Sequence, residues 1–433
     1  MRKALLLGLL GGMNIVVLFA AQWLVVTTLG AGREADAFFA SLVVPQLIIG
    51  VVSGALIPVL VPVLAVREGD DFSRTAWSVF LYGALAFAAL CAVFALSAPL
   101  WTALIVPGFD AEARALTVAL APPQFAATFL AALTWMTMSM NHARQRFYRV
   151  ELAGLLAGTL MLSLMAWVLP HHGVVPAAWT MTVKPLVHTL LLAHVLGPYR
   201  RPQRSDEGLA TAILRMRPLI LGNAYYKSGT CVDRILASMA PAGDMSLLHM
   251  GTQIYSAGQI VLDKGISAPA LPALAHAAEA HREDDFRRIG GRRFAAATGV
   301  ALGCFALLAL AGRPLLDLTF GYRQFTSDDT LRLWVLLMAL GGVWLGGAAG
   351  QILANCFYAR GDSTTPTRIG VFGFTIGLGA KVAGFLIAGV TGIAIGTSLY
   401  YLLNAALLAW FLRRTLHAAD TLTTRGFHEA PHV

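Results

Sequence analysis

The chain alternates long apolar runs with short stretches rich in charged residues, proline and glycine. Each run reaches or exceeds the roughly 20 residues that an α-helix needs to cross the hydrocarbon core of a bilayer. A helix satisfies its own backbone hydrogen bonds, so it is the element expected in lipid. The pattern predicts twelve spans, at about 4–29, 37–65, 76–106, 114–140, 150–169, 174–197, 212–240, 245–275, 294–312, 331–358, 369–389 and 391–412.

Basic residues lie mainly on one side of these spans. Because the span ends are uncertain by a few residues, basic residues at a span end are counted with the adjoining loop. The loops that share a side with the N-terminus then hold 22 of the 32 Lys and Arg residues, the opposite loops hold 5, and the remaining 5 lie deeper inside spans. Lys and Arg concentrate in cytoplasmic loops. We therefore expect both termini in the cytoplasm, and the first run is too long for a cleaved secretory signal.

The composition is typical of a membrane protein and argues against a nucleic-acid-binding protein, a metalloprotein or an enzyme. The chain is 57% hydrophobic and 13% charged, with a mean hydropathy of +0.68. The net charge of +9 is explained by the cytoplasmic loops, so no nucleic-acid partner is expected. The four cysteines lie in apolar runs without a CxxC spacing, so we expect no disulfide framework, metal site or cofactor. Motifs of hydrolases and nucleotide-binding enzymes are absent from the sequence, so no enzyme is expected.

The two halves of the chain resemble each other. Short motifs recur in the same order, around Pro62, Pro99 and Asn141 and again around Pro272, Pro314 and Asn355. Each half has an even number of spans, so the repeat is parallel. We expect an all-α polytopic protein of two six-helix lobes, 1–203 and 204–433, around a central cavity.

Three segments carry a resemblance to a known family. They are LGAGREADAFFASLVVPQL at 29–47, PLILGNAYYKSGTCVDRILASMAPAGDMS at 218–246 and FYARGDSTTPTRI at 357–369. Together they resemble the MurJ/MviN lipid II flippase family, within the superfamily that includes multidrug and polysaccharide exporters. The resemblance implies a bacterial inner-membrane protein that flips a polyprenyl-diphosphate-linked glycan by alternating access. It also implies a cationic cavity for the diphosphate, contact with membrane lipid, and glycosyltransferases or a polymerase as partners.

The sequence departs from this family at its characteristic cations. Ala21 and Gln22 stand where the family has an Arg-Asp pair, Ile49 and Gly50 replace an Arg-Arg pair, and Gln253 replaces an arginine. Lipid II members also have two further C-terminal helices beyond twelve. These departures favour an exopolysaccharide-type repeat unit over lipid II as the cargo.

Charged residues inside the spans are the candidates for binding the cargo. A charge at the centre of a span costs about 2.5–3.5 kcal/mol on insertion scales, so it is expected to have a function or a partner. The substrate-binding candidates are Lys227, Arg234, Lys264, Lys381, Lys184, Gln253, Asp36 and Asp233. The alternative for each is structural: an Asp233–Arg234 pair, a lysine that extends to the membrane surface, or a carboxylate at a helix start.

Two other functions remain open from the sequence. A drug or cation antiporter of the same superfamily requires acidic groups in its interior, and the in-span carboxylates are chiefly Asp233 and Asp263. An inactive scaffold for a glycan-assembly complex would explain the altered motifs. We expect effects of cavity substitutions in a flippase but not in a scaffold.

Overall fold

The structure, a computed structural model, describes residues 2–203, 206–280 and 282–428. Its described residues form α-helices joined by short turns, without a β-strand. The helices of the first half are α1 (Arg2–Leu29), α2 (Arg33–Ser41), α3 (Val43–Ala65), α4 (Gly69–Leu96), α5 (Ala98–Ile105), α6 (Ala111–Ala143), α7 (Phe147–His172), α8 (Val174–Thr180), α9 (Val183–Leu192) and α10 (Glu207–Ser238).

The second half continues the helical pattern. Its helices are α11 (Asp244–Leu262), α12 (Ala268–Glu279), α13 (Glu283–Phe320), α14 (Ser327–Ala339), α15 (Gly341–Ala359) and α16 (Thr364–His428), with a π-helical turn, Asp263–Ser267, between α11 and α12. The backbone of α16 leaves the helical conformation at Ala388 and Gly389, where Gly389 has φ +59°. This turn lies at the predicted boundary between the last two spans.

Helices long and apolar enough to cross a membrane cover nine of the twelve predicted spans. Eight such stretches are found in the described residues, and the last, Thr364–Leu416, contains two predicted spans. The predicted spans at 174–197, 212–240 and 245–275 are helical but are not among the eight. Each of these three carries basic candidates for cargo binding, Lys184, Lys227 with Arg234, and Lys264 respectively.

The chain divides into two compact units. Unit 1 comprises Met1–His249 with Phe320–Asp329, and unit 2 comprises Met250–Thr319 with Thr330–Val433. Helix α10 packs against α3 in unit 1, although the sequence placed this segment in the second lobe. The predicted lobe boundary at 203/204 adjoins residues 204 and 205, which lie outside the described residues, and the lobe division stays a prediction.

Each unit has its own apolar core. In unit 1, Leu60 and Leu64 of α3 pack with Phe72 of α4 and with Met136 and Met140 of α6. In unit 2, Leu274, Phe286, Ile352, Cys356 and Leu412 form a corresponding cluster.

Small residues allow close helix packing in unit 2, as is common between membrane helices. A Cβ atom added at Gly346 would lie 2.6 Å from the backbone carbonyl carbon of Tyr401. A Cβ atom at Gly392 would lie 1.8 Å from the carbonyl oxygen of Gly384, across the turn in α16. Larger side chains at these positions would force the helices apart.

Candidate functional site

Lys227 is an exposed cation in the middle of α10. It makes no hydrogen bond or ion pair with any residue that the structure describes. A lone ammonium group facing lipid at this depth would be costly, so Lys227 is expected to face a water-filled space or an anion. Tyr225 and Tyr226, both 39% exposed, precede it on the helix.

The methylene chain of Lys227 lies over Gly50 of α3. A Cβ atom added at Gly50 would lie 3.5 Å from Cε of Lys227 and 3.6 Å from Cδ. One turn earlier on α10, the side-chain amide of Asn223 donates to the carbonyl of Val51 at 3.2 Å. Glycine at position 50 therefore leaves the surface of α3 open to the lysine side chain.

Arg234 lies two turns after Lys227 in a different environment. Only 5% exposed, its guanidinium donates to the carbonyl of Met245 at 3.1 Å and contacts Nδ1 of His249. The other ring nitrogen of His249 lies 2.8 Å from Oε1 of Gln22 in α1. Asp233 is half-buried and interacts electrostatically with Arg234. Lys227 and Arg234 are two turns apart on α10 and so lie on the same helix face. Lys227 is exposed, whereas Arg234 is buried and held by neighbouring groups.

Asp36 joins the start of α2 to the start of α11. Its side chain is 3% exposed, and its two carboxylate oxygens accept backbone N–H groups from Gly243 at 2.6 Å and Ser246 at 2.7 Å. Helix N-termini leave backbone donors without partners inside the helix, and a carboxylate satisfies them well. Asp36 thus fixes the turn between α10 and α11.

Lys184 borders a cavity within unit 1. The cavity has a volume of about 490 Å³ and is lined by residues of α1, α3, α6, α7 and α9. Lys184 is half-buried and makes no hydrogen bond or ion pair with a described residue.

The remaining candidates lie in unit 2. Lys264 is exposed in the π-helical turn and has no hydrogen bond or ion pair with the residues described. Such turns in helices often mark functional sites. Gln253 is half-buried on α11, and Lys381 is only 7% exposed on α16; both interact with other residues.

Three polar residues of these sites were not predicted from the sequence. His249 completes the contacts of Arg234, and Glu151 and Gln124 line the cavity beside Lys184. Glu151 was detectable as a carboxylate just inside a predicted span, whereas His249 and Gln124 carry no charge pattern that would single them out. Among the described residues, no group of three or more His, Cys, Asp or Glu side chains is placed to hold a metal ion.

Comparison with known proteins gives matches over nearly the whole chain. A family model described as Lipid II flippase MurJ matches residues 25–430. The probable lipid II flippase MurJ of Rhizobium tropici is 24% identical over 422 residues, covering 92% of this chain and 78% of that protein. The lipid II flippase MurJ of Burkholderia cenocepacia is 22% identical over 422 residues, covering 91% of this chain and 80% of that protein.

Solved structures show the same fold. A lipid II flippase MurJ in an inward closed conformation has a TM-score of 0.82 at 15% identity, covering 99% of this chain and 94% of that one. An inward-facing multidrug resistance MATE family transporter has a TM-score of 0.78 at 17% identity, covering 94% and 96%. These matches confirm an all-α polytopic membrane protein. Because the family model covers most of the sequence, the chain belongs to the MurJ lipid II flippase family.

Proposed function

We propose that this protein moves a polyprenyl-diphosphate-linked glycan from the cytoplasmic to the outer leaflet of the bacterial inner membrane by alternating access. The cargo is an exopolysaccharide-type repeat unit or a lipid II-like cell-wall precursor. The observation that carries the proposal is Lys227, an exposed cation on α10 of a flippase-family protein, with no partner among the residues that the structure describes. Membership of this family confirms the prediction of a multi-pass transport protein and not an enzyme.

A diphosphate that leaves water needs donors to replace its hydration. Ammonium groups supply charge-assisted hydrogen bonds to phosphate oxygens, which are stronger than those between neutral groups. Lys227 has all three of its N–H donors available, since no described residue accepts from it. We therefore assign Lys227 to the diphosphate of the cargo.

Lys227 also explains the altered motif on α3. The resembled family carries an arginine where this chain has Gly50, and the side chain of Lys227 covers that glycine. A cation on α10 thus replaces a cation on α3, over the same part of unit 1. This relocation argues against the scaffold alternative, which gives no reason to keep a costly charge within the membrane.

Lys264 is the second proposed cargo contact, because it too is exposed and has no partner among the described residues. Asp36 and Arg234 are proposed as positioning residues, since burial and hydrogen bonds hold them in unit 1. Asp233, half-buried beside Arg234, is proposed to position that guanidinium through its charge. Lys184, Lys381 and Gln253 remain predicted cargo contacts. Cytoplasmic termini and partner glycosyltransferases or a polymerase belong to the same proposal.

Binding of purified protein to polyprenyl-diphosphate saccharides tests these assignments. We expect Lys227→Ala and Lys264→Ala each to weaken binding about tenfold or more, the effect of losing a hydrogen bond to a charged group. Arg292→Ala is the matched control, because Arg292 is an exposed cation on α13 outside the proposed contacts.

The lipid should be tested with an exopolysaccharide-type unit and with a lipid II-type sugar, so that the preferred cargo is measured in the same assay. Lys227→Arg should retain binding because it preserves the positive charge. Unchanged affinity in both alanine variants would refute the two residue assignments. A protein that binds neither saccharide would refute the proposed function itself.

A further inference from the structure

The cavity within unit 1 contains polar groups whose bonding capacity is unused. Gln124 of α6 is 1% exposed and lines the cavity, and neither its amide oxygen nor its amide nitrogen has a hydrogen-bond partner. Lys184 of α9 lines the same cavity with no acceptor among the described residues. Buried polar groups without partners are rare because their desolvation is costly. A buried amide and a half-buried ammonium group without partners in one cavity indicate that a ligand supplies the missing partners.

Glu151 of α7 provides the opposite charge in this cavity. Its Oε2 accepts a hydrogen bond from Nδ2 of Asn14 at 2.9 Å. Lys184 and Glu151 attract each other electrostatically but form no direct hydrogen bond or ion pair among the described residues. The cavity is therefore lined by one positive and one negative side chain that are not bonded to each other.

The charges define what would fit between these groups. A simple anion would be attracted by Lys184 but repelled by Glu151. A simple cation would be attracted by Glu151 but repelled by Lys184. A molecule with an anionic group and a primary ammonium group satisfies both. The side-chain amide of Gln124 can donate a hydrogen bond to the anionic group of the ligand or accept one from its ammonium group.

The remaining wall of the cavity is largely apolar. Leu18, Ile49, Trp135, Met138 and Met161 line it. Its volume of about 490 Å³ falls within the range of small-molecule sites, which combine apolar walls with a few polar groups. Methionine side chains adapt to irregular apolar ligands. The occupant should therefore carry an apolar body beside its charged groups.

We propose that the cavity of unit 1 is a binding site for a small amphiphilic zwitterion, with its anionic group at Lys184 and its ammonium group at Glu151. This site is distinct from the cargo contact proposed at Lys227, which is not among the residues that line the cavity, and it assigns Lys184 to a different ligand from the glycan cargo predicted from the sequence. The inference does not depend on the identity of the glycan cargo. Two sources share the required chemistry: an ethanolamine phospholipid of the membrane and a soluble apolar amino acid.

Calorimetric titration of the purified full chain in detergent distinguishes these sources. The probes are dihexanoylphosphatidylethanolamine and leucine, compared with dihexanoylphosphatidylglycerol, which lacks the ammonium group. We expect one of the two zwitterions to bind and the phosphatidylglycerol to bind at least tenfold more weakly. Lys184→Met and Glu151→Gln should each weaken binding of the zwitterion about tenfold or more.

These substitutions are chosen to preserve packing. Methionine keeps the apolar stem of Lys184, and the amide oxygen of glutamine can still accept from Asn14. Arg292→Met in unit 2 is the matched control and should bind like the parent protein. Thermal unfolding of each variant checks that it is folded. The site is refuted if neither zwitterion binds, if phosphatidylglycerol binds equally well, or if folded Lys184→Met and Glu151→Gln variants keep the parent affinity.

Discussion

Removal of the Asp36 carboxylate should destabilise the turn between α10 and α11. Both carboxylate oxygens accept backbone N–H groups, from Gly243 at 2.6 Å and from Ser246 at 2.7 Å, in a position that is 3% exposed. In Asp36→Ala these donors lose their acceptors, and burial prevents water from replacing them easily. The substitution is therefore at one position but removes the acceptor of two backbone donors in a single segment, 207 and 210 residues further along the chain.

The expected magnitude follows from these two bonds. Hydrogen bonds to charged groups are worth about 1.5–3 kcal/mol each, so loss of both should lower the free energy of unfolding by about 3 kcal/mol at the lower end of this range. Asp36→Asn keeps one oxygen acceptor but sets its NH₂ group against the other donor. It should retain at most half of the stabilisation.

Titration with SDS in mixed micelles, followed by far-UV circular dichroism, measures the change. Glu34→Ala is the matched control, because Glu34 is an exposed carboxylate on the same helix. Its effect should stay within about 0.5 kcal/mol. If Asp36→Ala were as stable as Glu34→Ala, the proposed positioning role of Asp36 would be wrong.

Three further predictions follow from unit 2 and its loops. Gly346→Leu should prevent stable folding because its Cβ would meet neighbouring backbone at 2.6 Å. Gly303→Leu is the control and should fold normally, because a Cβ at Gly303 has nothing within 4 Å. Size-exclusion chromatography in detergent shows whether each variant elutes as folded protein. Tyr255→Phe should lower stability by about 1 kcal/mol in thermal unfolding, because the hydroxyl donates to a buried carbonyl at 2.7 Å. Hydrogen bonds from the side chain and backbone of Thr365 hold the pKa of Asp362 below its usual range. The parent protein should therefore have a higher melting temperature than the Asp362→Ala variant at pH 7. This difference in melting temperature should disappear as the pH falls through the lowered pKa of Asp362.

Apolar run length was sufficient to predict nine of the twelve spans as helices long and apolar enough to cross a membrane. Spanning a bilayer imposes a simple requirement on composition, so the runs and the turn near Gly389 could be found without any tertiary information. Breaks within single spans were not predicted. The interruption at Leu42 between α2 and α3 and the one at Ser97 between α4 and α5 lie inside continuous apolar runs, where hydropathy does not change.

The charged residues of the candidate site could be predicted from the sequence, but their burial and their contacts in the folded protein could not. Charge inside a predicted span identified both Lys227 and Arg234 as candidates, yet the structure leaves Lys227 exposed and buries Arg234 against His249 and the carbonyl of Met245. The environment of Asp36 depends on a turn more than 200 residues away. Such long-range contacts leave no periodic signal in the sequence, so only the residue types could be recognised.

The most direct test of the central claim is a flipping assay in vesicles that contain the purified protein. A fluorescent polyprenyl-diphosphate saccharide is incorporated, and the fraction accessible to a membrane-impermeant quencher is followed over time. We predict that the diphosphate lipid moves across the bilayer only when the protein is present, and that the corresponding uncharged polyprenyl lipid moves little. The Lys227→Ala variant should lose most of the flipping rate, whereas the Arg292→Ala variant should keep it. Movement no faster than in protein-free vesicles would contradict the account.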